Sequence, residues 1–283
     1  MRIFKYTKAE HALKILENLR IKVSAADQLN DPFELSPLFD AADYTLEKCI
    51  QFLQRPDQID YWYAKEGNAH GILDRETFKD FYLEATRLRQ RAESLLPGVP
   101  ANIEIARKNF AATFSQQFRL FCASRIRSSI LMWSHYANDH KGVVVEFDTE
   151  KVPFSYLPDY LLPVKYKTDK ERFCHGNDGE EFKEQLFNVV ETKSSHWEYE
   201  EEVRLVIPLT RCVDSKFLQL EDTKIIRSIT FGCRHMSDGF TADLRGIFER
   251  LDTSDFRHVA IWDATTAPQK FCLDFALRRP ERL

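Results

Sequence analysis

Glycine and proline are scarce in this chain, nine and eleven among 283 residues. That excludes long flexible linkers and low-complexity tracts. It also excludes cofactor sites built on glycine-rich loops: there is no G-x-G-x-x-G and no Gly-Lys-Ser/Thr, so the dinucleotide-binding and P-loop fingerprints are missing. The six cysteines (Cys49, Cys122, Cys174, Cys212, Cys233 and Cys272) are spread evenly with no C-x-x-C pair. A secreted disulfide scaffold would crowd them and a structural zinc site would pair them. Basic charge is not in excess: Lys+Arg number 40 against Asp+Glu 44, a formal charge of −4. A face dedicated to coating nucleic acid would need the opposite balance. No apolar run is long enough to span a bilayer. Met1-Arg2-Ile3-Phe4 runs straight into a structured pattern rather than a signal peptide. These absences lead us to expect a reduced, metal-free, cytoplasmic protein. What is present is ordinary for a soluble globular chain, 43% hydrophobic and 30% charged. One domain over 1–283 is expected.

Periodicity predicts a strand at 2–6, a helix carrying Ala9, Leu13, Leu16 and Leu19, and a strand at 21–24, a β-α-β-like opening. Asn30-Asp31-Pro32 then marks a turn. Residues 40–117 read as a helical insertion, with helices near 43–55, 75–95 and 100–117, broken near Gly67 to Gly71 and at Pro97-Gly98-Val99-Pro100. After 118 strands dominate, at 119–123, 142–148, 161–166, 201–208, 225–232, 258–262 and 271–275, with helices near 129–137, 179–193 and 237–251. They do not alternate strictly, which predicts an α+β fold with a mixed or antiparallel sheet.

Three clusters could carry chemistry: Leu29 to Glu34 (LNDPFE), Met132 to Gly142 (MWSHYANDHKG) and Trp197 to Arg204 (WEYEEEVR). Together with Ile229-Thr230-Phe231-Gly232 they resemble a widespread bacterial family, domain of unknown function 2971, with Leu29 where that pattern has Phe. Each cluster also has a plain structural reading. Trp133 and Tyr136 fit a core stripe on a helix, Lys141-Gly142 a helix stop with a left-handed glycine, and Asn30 and Asp31 a turn. His135 shares a helical face with Leu131 and Asp139, while His135 and His140, five apart, do not align for a metal. In a strand, Val203, Leu205 and Ile207 point to a core, and Glu200, Glu202 and Arg204 face the other way. Three consecutive glutamates repel unless something cationic or hydroxylic meets them.

The layout is also similar to the ADP-ribosyltransferase fold: an opening strand with a polar residue, a helix, a second strand ending in Ser, and a late strand with Glu-x-Glu. That likeness implies NAD as substrate, with no tightly bound cofactor. Lys5 or Tyr6 would bind it, Ser24 would pack the nicotinamide, and Glu202 or Glu200 would contact the ribose. The expected catalytic set is Glu202, Glu200, His135 and Arg204. The expected substrate-binding set is Lys5, Tyr6, Ser24, Asn30, Asp31, Phe33, Glu34, Trp133, Ser134, Tyr136, Lys141 and Trp197. The implied activity is NAD cleavage or ADP-ribosyl transfer to a protein or nucleic-acid acceptor, as in a toxin or phage-defence effector. Two alternatives stand beside it: a non-catalytic module binding a nucleotide or a partner protein, and a metal-independent nuclease or phosphotransferase using His135. No membrane partner is expected.

Overall fold

The computed structural model describes residues 1–40, 45–67, 71, 74–151, 153–157, 160–173 and 179–280. The strands are β1 (Arg2–Thr7), β2 (Arg20–Lys22), β3 (Phe118–Ser124), β4 (Val143–Asp148), β5 (Leu161–Pro163), β6 (Lys165–Lys167), β7 (Thr192–Ser194), β8 (Glu202–Pro208), β9 (Phe217–Gln219), β10 (Ile226–Phe231), β11 (Ala260–Thr266) and β12 (Leu273–Arg279). The helices are α1 (Ala9–Asn18), α2 (Leu46–Leu53), α3 (Pro56–Glu66), α4 (Arg75–Tyr82), α5 (Ala85–Leu95), α6 (Val99–Ser115), α7 (Ile130–Tyr136), α8 (Gly179–Val190) and α9 (Ala242–Leu251). The chain divides into two compact units, residues 1–34 with 112–168 and 193–283, and residues 35–111 with 169–192.

The first unit is built on an eight-stranded sheet in the order β12-β11-β10-β4-β1-β3-β8-β5. Its neighbours are antiparallel except β10 and β11, so the class is α+β. One face buries Ile3, Val145, Phe147, Leu205 and Ile229 against Leu16 of α1 and Ile247 of α9. The other packs Tyr6, Val144 and Ala264 against Met132, Trp133 and Ala137. The opening is not a β-α-β unit of this sheet. Leu19 turns left-handed at the end of α1 and sends β2 into a separate antiparallel pair with β9. The expected strand at 161–166 is two: β5 edges the main sheet, and β6 pairs with β7.

Ser129 caps α7 by accepting the Met132 N–H. The turn that follows is left-handed at Asn138, Asp139 and His140 (φ 50°, 53° and 67°), not at Gly142 as the sequence suggested. Gly142 is required for closeness instead: a Cβ there would lie 2.3 Å from the Thr7 carbonyl oxygen of β1.

In the second unit α2, α3, α4 and α5 close around Leu53, Ile59, Phe78, Leu88 and Ala92. A further core joins Phe39, Ile103, Phe173 and Val189. The expected helix over 43–55 ends at Leu53, because Pro56 bars the helical region to Arg55 and itself opens α3. That over 75–95 breaks at Leu83, and the Glu84 side chain caps α5 by accepting the Thr86 N–H. The expected break near Gly67 to Gly71 falls mostly outside the described residues.

Candidate functional site

The main sheet splits between β1 and β3. β1 follows β4 for its whole length but pairs with β3 only at Phe4 and Ser124. Further along, β3 takes a different partner, and Ser24 and Leu120 exchange backbone hydrogen bonds at 2.8 Å each way. Between these points the Lys5 ammonium donates to the Cys122 carbonyl at 2.7 Å. A cleft of about 210 Å³ opens at this divergence. Phe4, Lys5 and Tyr6 line it from β1, and Leu120, Cys122 and Ala123 from β3. Lys22 lines it from the end of β2, Ser24, Gln28, Leu29, Asn30 and Glu34 from the segment that follows, and Met132 and Tyr136 from α7. Lys193, Glu200 and Glu202 complete it.

Beside the cleft lies a buried ionic cluster. Arg204, with no exposed side-chain surface, donates from Nε to Glu202 at 2.8 Å and from Nη2 to both Glu202 (3.1 Å) and Glu34. Lys193 Nζ lies 2.6 Å from Glu200, 2.9 Å from Glu202 and 3.1 Å from Glu34. The second oxygen of Glu200 accepts from the Tyr136 hydroxyl at 2.6 Å, and that hydroxyl accepts from the Asn30 amide at 2.8 Å. The Glu202 backbone N–H donates to the Tyr166 hydroxyl at 2.7 Å. Three carboxylates therefore share two cations, leaving one negative charge in excess.

The two glutamates respond to this environment in opposite senses. Burial raises Glu200 above the usual carboxylate range, and the opposing pull of Lys193 and Tyr136 does not undo it. Burial would raise Glu202 too, but the charges of Arg204 and Lys193 outweigh it and hold that carboxyl well below its ordinary value. Burial lowers Lys193, and the carboxylates of Glu202, Glu34 and Glu200 more than reverse it. Of these two carboxyls Glu200 is therefore the weaker acid.

Chain geometry separates the two. Glu202 opens β8, whereas Glu200 ends a 3₁₀ turn, Ser195–Glu200, and Glu201 between them is left-handed (φ 41°). Glu201 thus leaves the core parity that a continuous strand would give it and lies half-buried, 3.9 Å from Arg125. The turn is tied to β3 by the Ser124 hydroxyl, which donates to the Glu200 carbonyl at 2.6 Å.

Of the expected site residues, Lys5, Tyr6, Ser24, Asn30, Glu34, Tyr136, Glu200 and Glu202 line the cleft, and Arg204 lies behind it on Glu202 and Glu34. Trp197 is half-buried with the Lys193 ammonium 4.9 Å from its ring centroid. The others do not join them. His135 is exposed, against Tyr199 and Tyr136, because α7 turns Met132, Trp133 and Tyr136 inward. Trp133 is fully buried, donating to the Arg127 carbonyl at 2.8 Å and edge-on to Tyr6. Lys141 pairs with Asp238 at 2.8 Å, and Phe33 is 66% exposed. Ser134 is outside the lining, and Asp31 is buried and accepts the Phe33 N–H, shaping its turn. Lys193 escaped the sequence reading. Its one signal was the unbalanced run Glu200-Glu201-Glu202, which required a cation from somewhere.

The site is thus a cleft at a split sheet, floored by a buried network of three carboxylates and two cations. Most of this network lies in a recognisable family segment. The model of the family described as protein of unknown function (DUF2971) matches residues 132–205, from Met132 on α7 to Leu205 on β8, so the resemblance seen in the motifs is borne out over that segment. No curated protein and no solved structure matches the chain. Among the described residues no helix is long and apolar enough to cross a membrane, and no cluster of His, Cys, Asp and Glu could hold a metal ion.

Proposed function

We propose that the cleft binds a nucleotide of the NAD class and breaks the bond between its ribose C1′ and the nicotinamide nitrogen. The observation that carries this reading is the pair Glu200 and Glu202, two carboxylates of opposite acid–base character lining one cleft. As the C1′–N bond breaks, its electron pair leaves with nicotinamide and positive charge develops on the ribose. The fixed negative charge of Glu202, and the net charge of the cluster behind it, stabilise that cation. Water, or an acceptor hydroxyl, then forms the new C1′–O bond and gives its proton to Glu200, whose raised affinity suits it to that task. Lys5 and Lys22 in the same lining supply positive charge for the phosphates, and Phe4, Tyr6 and Tyr136 supply aromatic surface. An enzyme that consumed a cell's NAD in this way would serve as a toxin or phage-defence effector. The nuclease alternative loses its acid–base residue, since His135 lies outside the cleft.

The test is to incubate the protein with NAD and measure nicotinamide by chromatography, beside a thermal-shift titration with NAD. Turnover is expected, falling about a hundredfold or more in Glu200→Gln, which keeps the shape and an acceptor for Tyr136. Stabilisation by NAD without nicotinamide release would overturn catalysis in favour of a binding module. Neither binding nor release would overturn the assignment altogether.

A further inference from the structure

The cleft, at about 210 Å³, is smaller than the roughly 300–1,000 Å³ of sites that enclose a ligand of drug size. The NAD reading therefore leaves the adenylate half of the ligand outside it. One cation of the lining leads out of the cleft. Lys22, at the end of β2, is exposed and makes no ion pair or side-chain hydrogen bond with any described residue. Lys5, by contrast, is held by the Cys122 carbonyl.

β2 and β9 form an antiparallel ribbon with two unlike faces. Ile21 and Leu218 stand opposite each other and are buried in the core, 0% and 4% exposed. Side chains alternate along a strand, so Arg20 and Lys22 of β2 share the outer face with Phe217 of β9, which lies directly across from Lys22. The Arg20 guanidinium carbon sits over the Phe217 ring, 4.1 Å from its centroid. No carboxylate among the described residues pairs with Arg20. Two cations without acidic partners therefore flank one aromatic ring, starting at the edge of the cleft. Two residues along a strand span roughly 6–7 Å, which puts Arg20 about one ribose beyond Lys22. Such cations favour phosphate, and planar bases stack on guanidinium and aromatic planes.

We propose that the outer face of this ribbon is an adenylate subsite. Lys22 takes the pyrophosphate where it leaves the cleft, and the Arg20–Phe217 pair is the platform on which adenine stacks. The inference rests on the reading of the cleft as an NAD site and says where the non-reacting half of that ligand is held. ADP-ribose carries that half and has no nicotinamide to release, so it tests the subsite apart from catalysis. Isothermal titration of the full-length protein is expected to show ADP-ribose binding that weakens about tenfold or more in Arg20→Glu and in Phe217→Leu. Far-UV circular dichroism checks that both variants fold, and the KM comparison that follows needs Arg20→Glu alone. In the release assay the wild-type KM for NAD is expected to lie about tenfold or more below that for nicotinamide mononucleotide, which has the same reacting bond but no adenylate. Arg20→Glu is expected to close most of that gap. If NAD is cleaved while both variants keep wild-type affinity for ADP-ribose, the subsite is overturned and the reading of the cleft stands. If ADP-ribose binds and both variants lose it while NAD is never cleaved, the subsite stands and the cleavage reading falls. Loss in Arg20→Glu alone would reduce the face to a phosphate contact and overturn the platform. A wild type that does not bind ADP-ribose would overturn the subsite outright.

Discussion

Lys193→Met tests the buried cluster most directly. Methionine keeps the length and volume of the lysine stem but removes an ammonium that meets three carboxylates at 2.6, 2.9 and 3.1 Å. The lysine side chain is 3% exposed and its three partners 2–5%, so solvent cannot replace the lost charge. Hydrogen bonds to charged groups contribute about 1.5–3 kcal/mol each, but the ammonium no longer has to be desolvated. The net cost of breaking a buried pair is about 3–5 kcal/mol, and that loss is expected near pH 7.5. It should shrink on acidification. Without Lys193, Glu200 is raised further above its unfolded value of about 4.3. A group raised in the folded state costs stability while it is deprotonated and ceases to as pH falls through its folded value. The assay is urea unfolding of both proteins at several pH values between about 5 and 8, followed by tryptophan fluorescence and secondary structure. A loss below about 1 kcal/mol, or one equal at both ends of that range, would refute the charge arrangement described above.

Three further outcomes follow from the same geometry. Trp133→Ala empties a fully buried site and frees the Arg127 carbonyl, so it should cost about 3–5 kcal/mol, whereas exposed His135→Ala should stay within about 0.5 kcal/mol; melting and denaturant curves of the pair check this. Gly232→Ala would put a methyl 2.1 Å from the His140 carbonyl oxygen, backbone that is held by its own hydrogen bond from Arg234, and should cost about 1–3 kcal/mol in the same measurement. Glu202 is depressed in the folded state by Arg204 and Lys193, so its stabilisation is complete above the unfolded value of about 4.3 and lost as pH falls through the folded one. Acid unfolding of the wild type should therefore begin below about pH 4, and Glu202→Gln, less stable at neutral pH, should show a flatter acid limb.

Much of the fold was legible along the chain because it is written in short-range patterns. Val143-Val144-Val145 could only be a buried strand, and Ala9, Leu13 and Leu16 could only be one face of a helix. The α+β class followed from how these elements are spaced. Boundaries failed where a single residue decides a turn, as at Leu19, which sends β2 out of the main sheet, and at Arg55, where proline ends one helix and starts the next. The glutamates of the site were legible as well, because three consecutive like charges cannot be left uncompensated.

Tertiary structure alone decided what compensates them. Lys193 is 159 residues along the chain from the Glu34 it touches and Arg204 is 170 residues from that same carboxylate, and no local periodicity encodes a pairing across such distances. It also decided which side chains of α7 count. Sequence treats His135 and Tyr136 as equal neighbours, but packing Trp133 against the sheet turns the tyrosine toward Glu200 and the histidine toward solvent. The sequence by itself determined which elements form and which charges need partners, since both are properties of neighbouring residues. The cleft exists because β1 and β3 part after one pair while β1 stays with β4 and β3 with β8, pairings between strands far apart in the chain that only the assembled sheet defines.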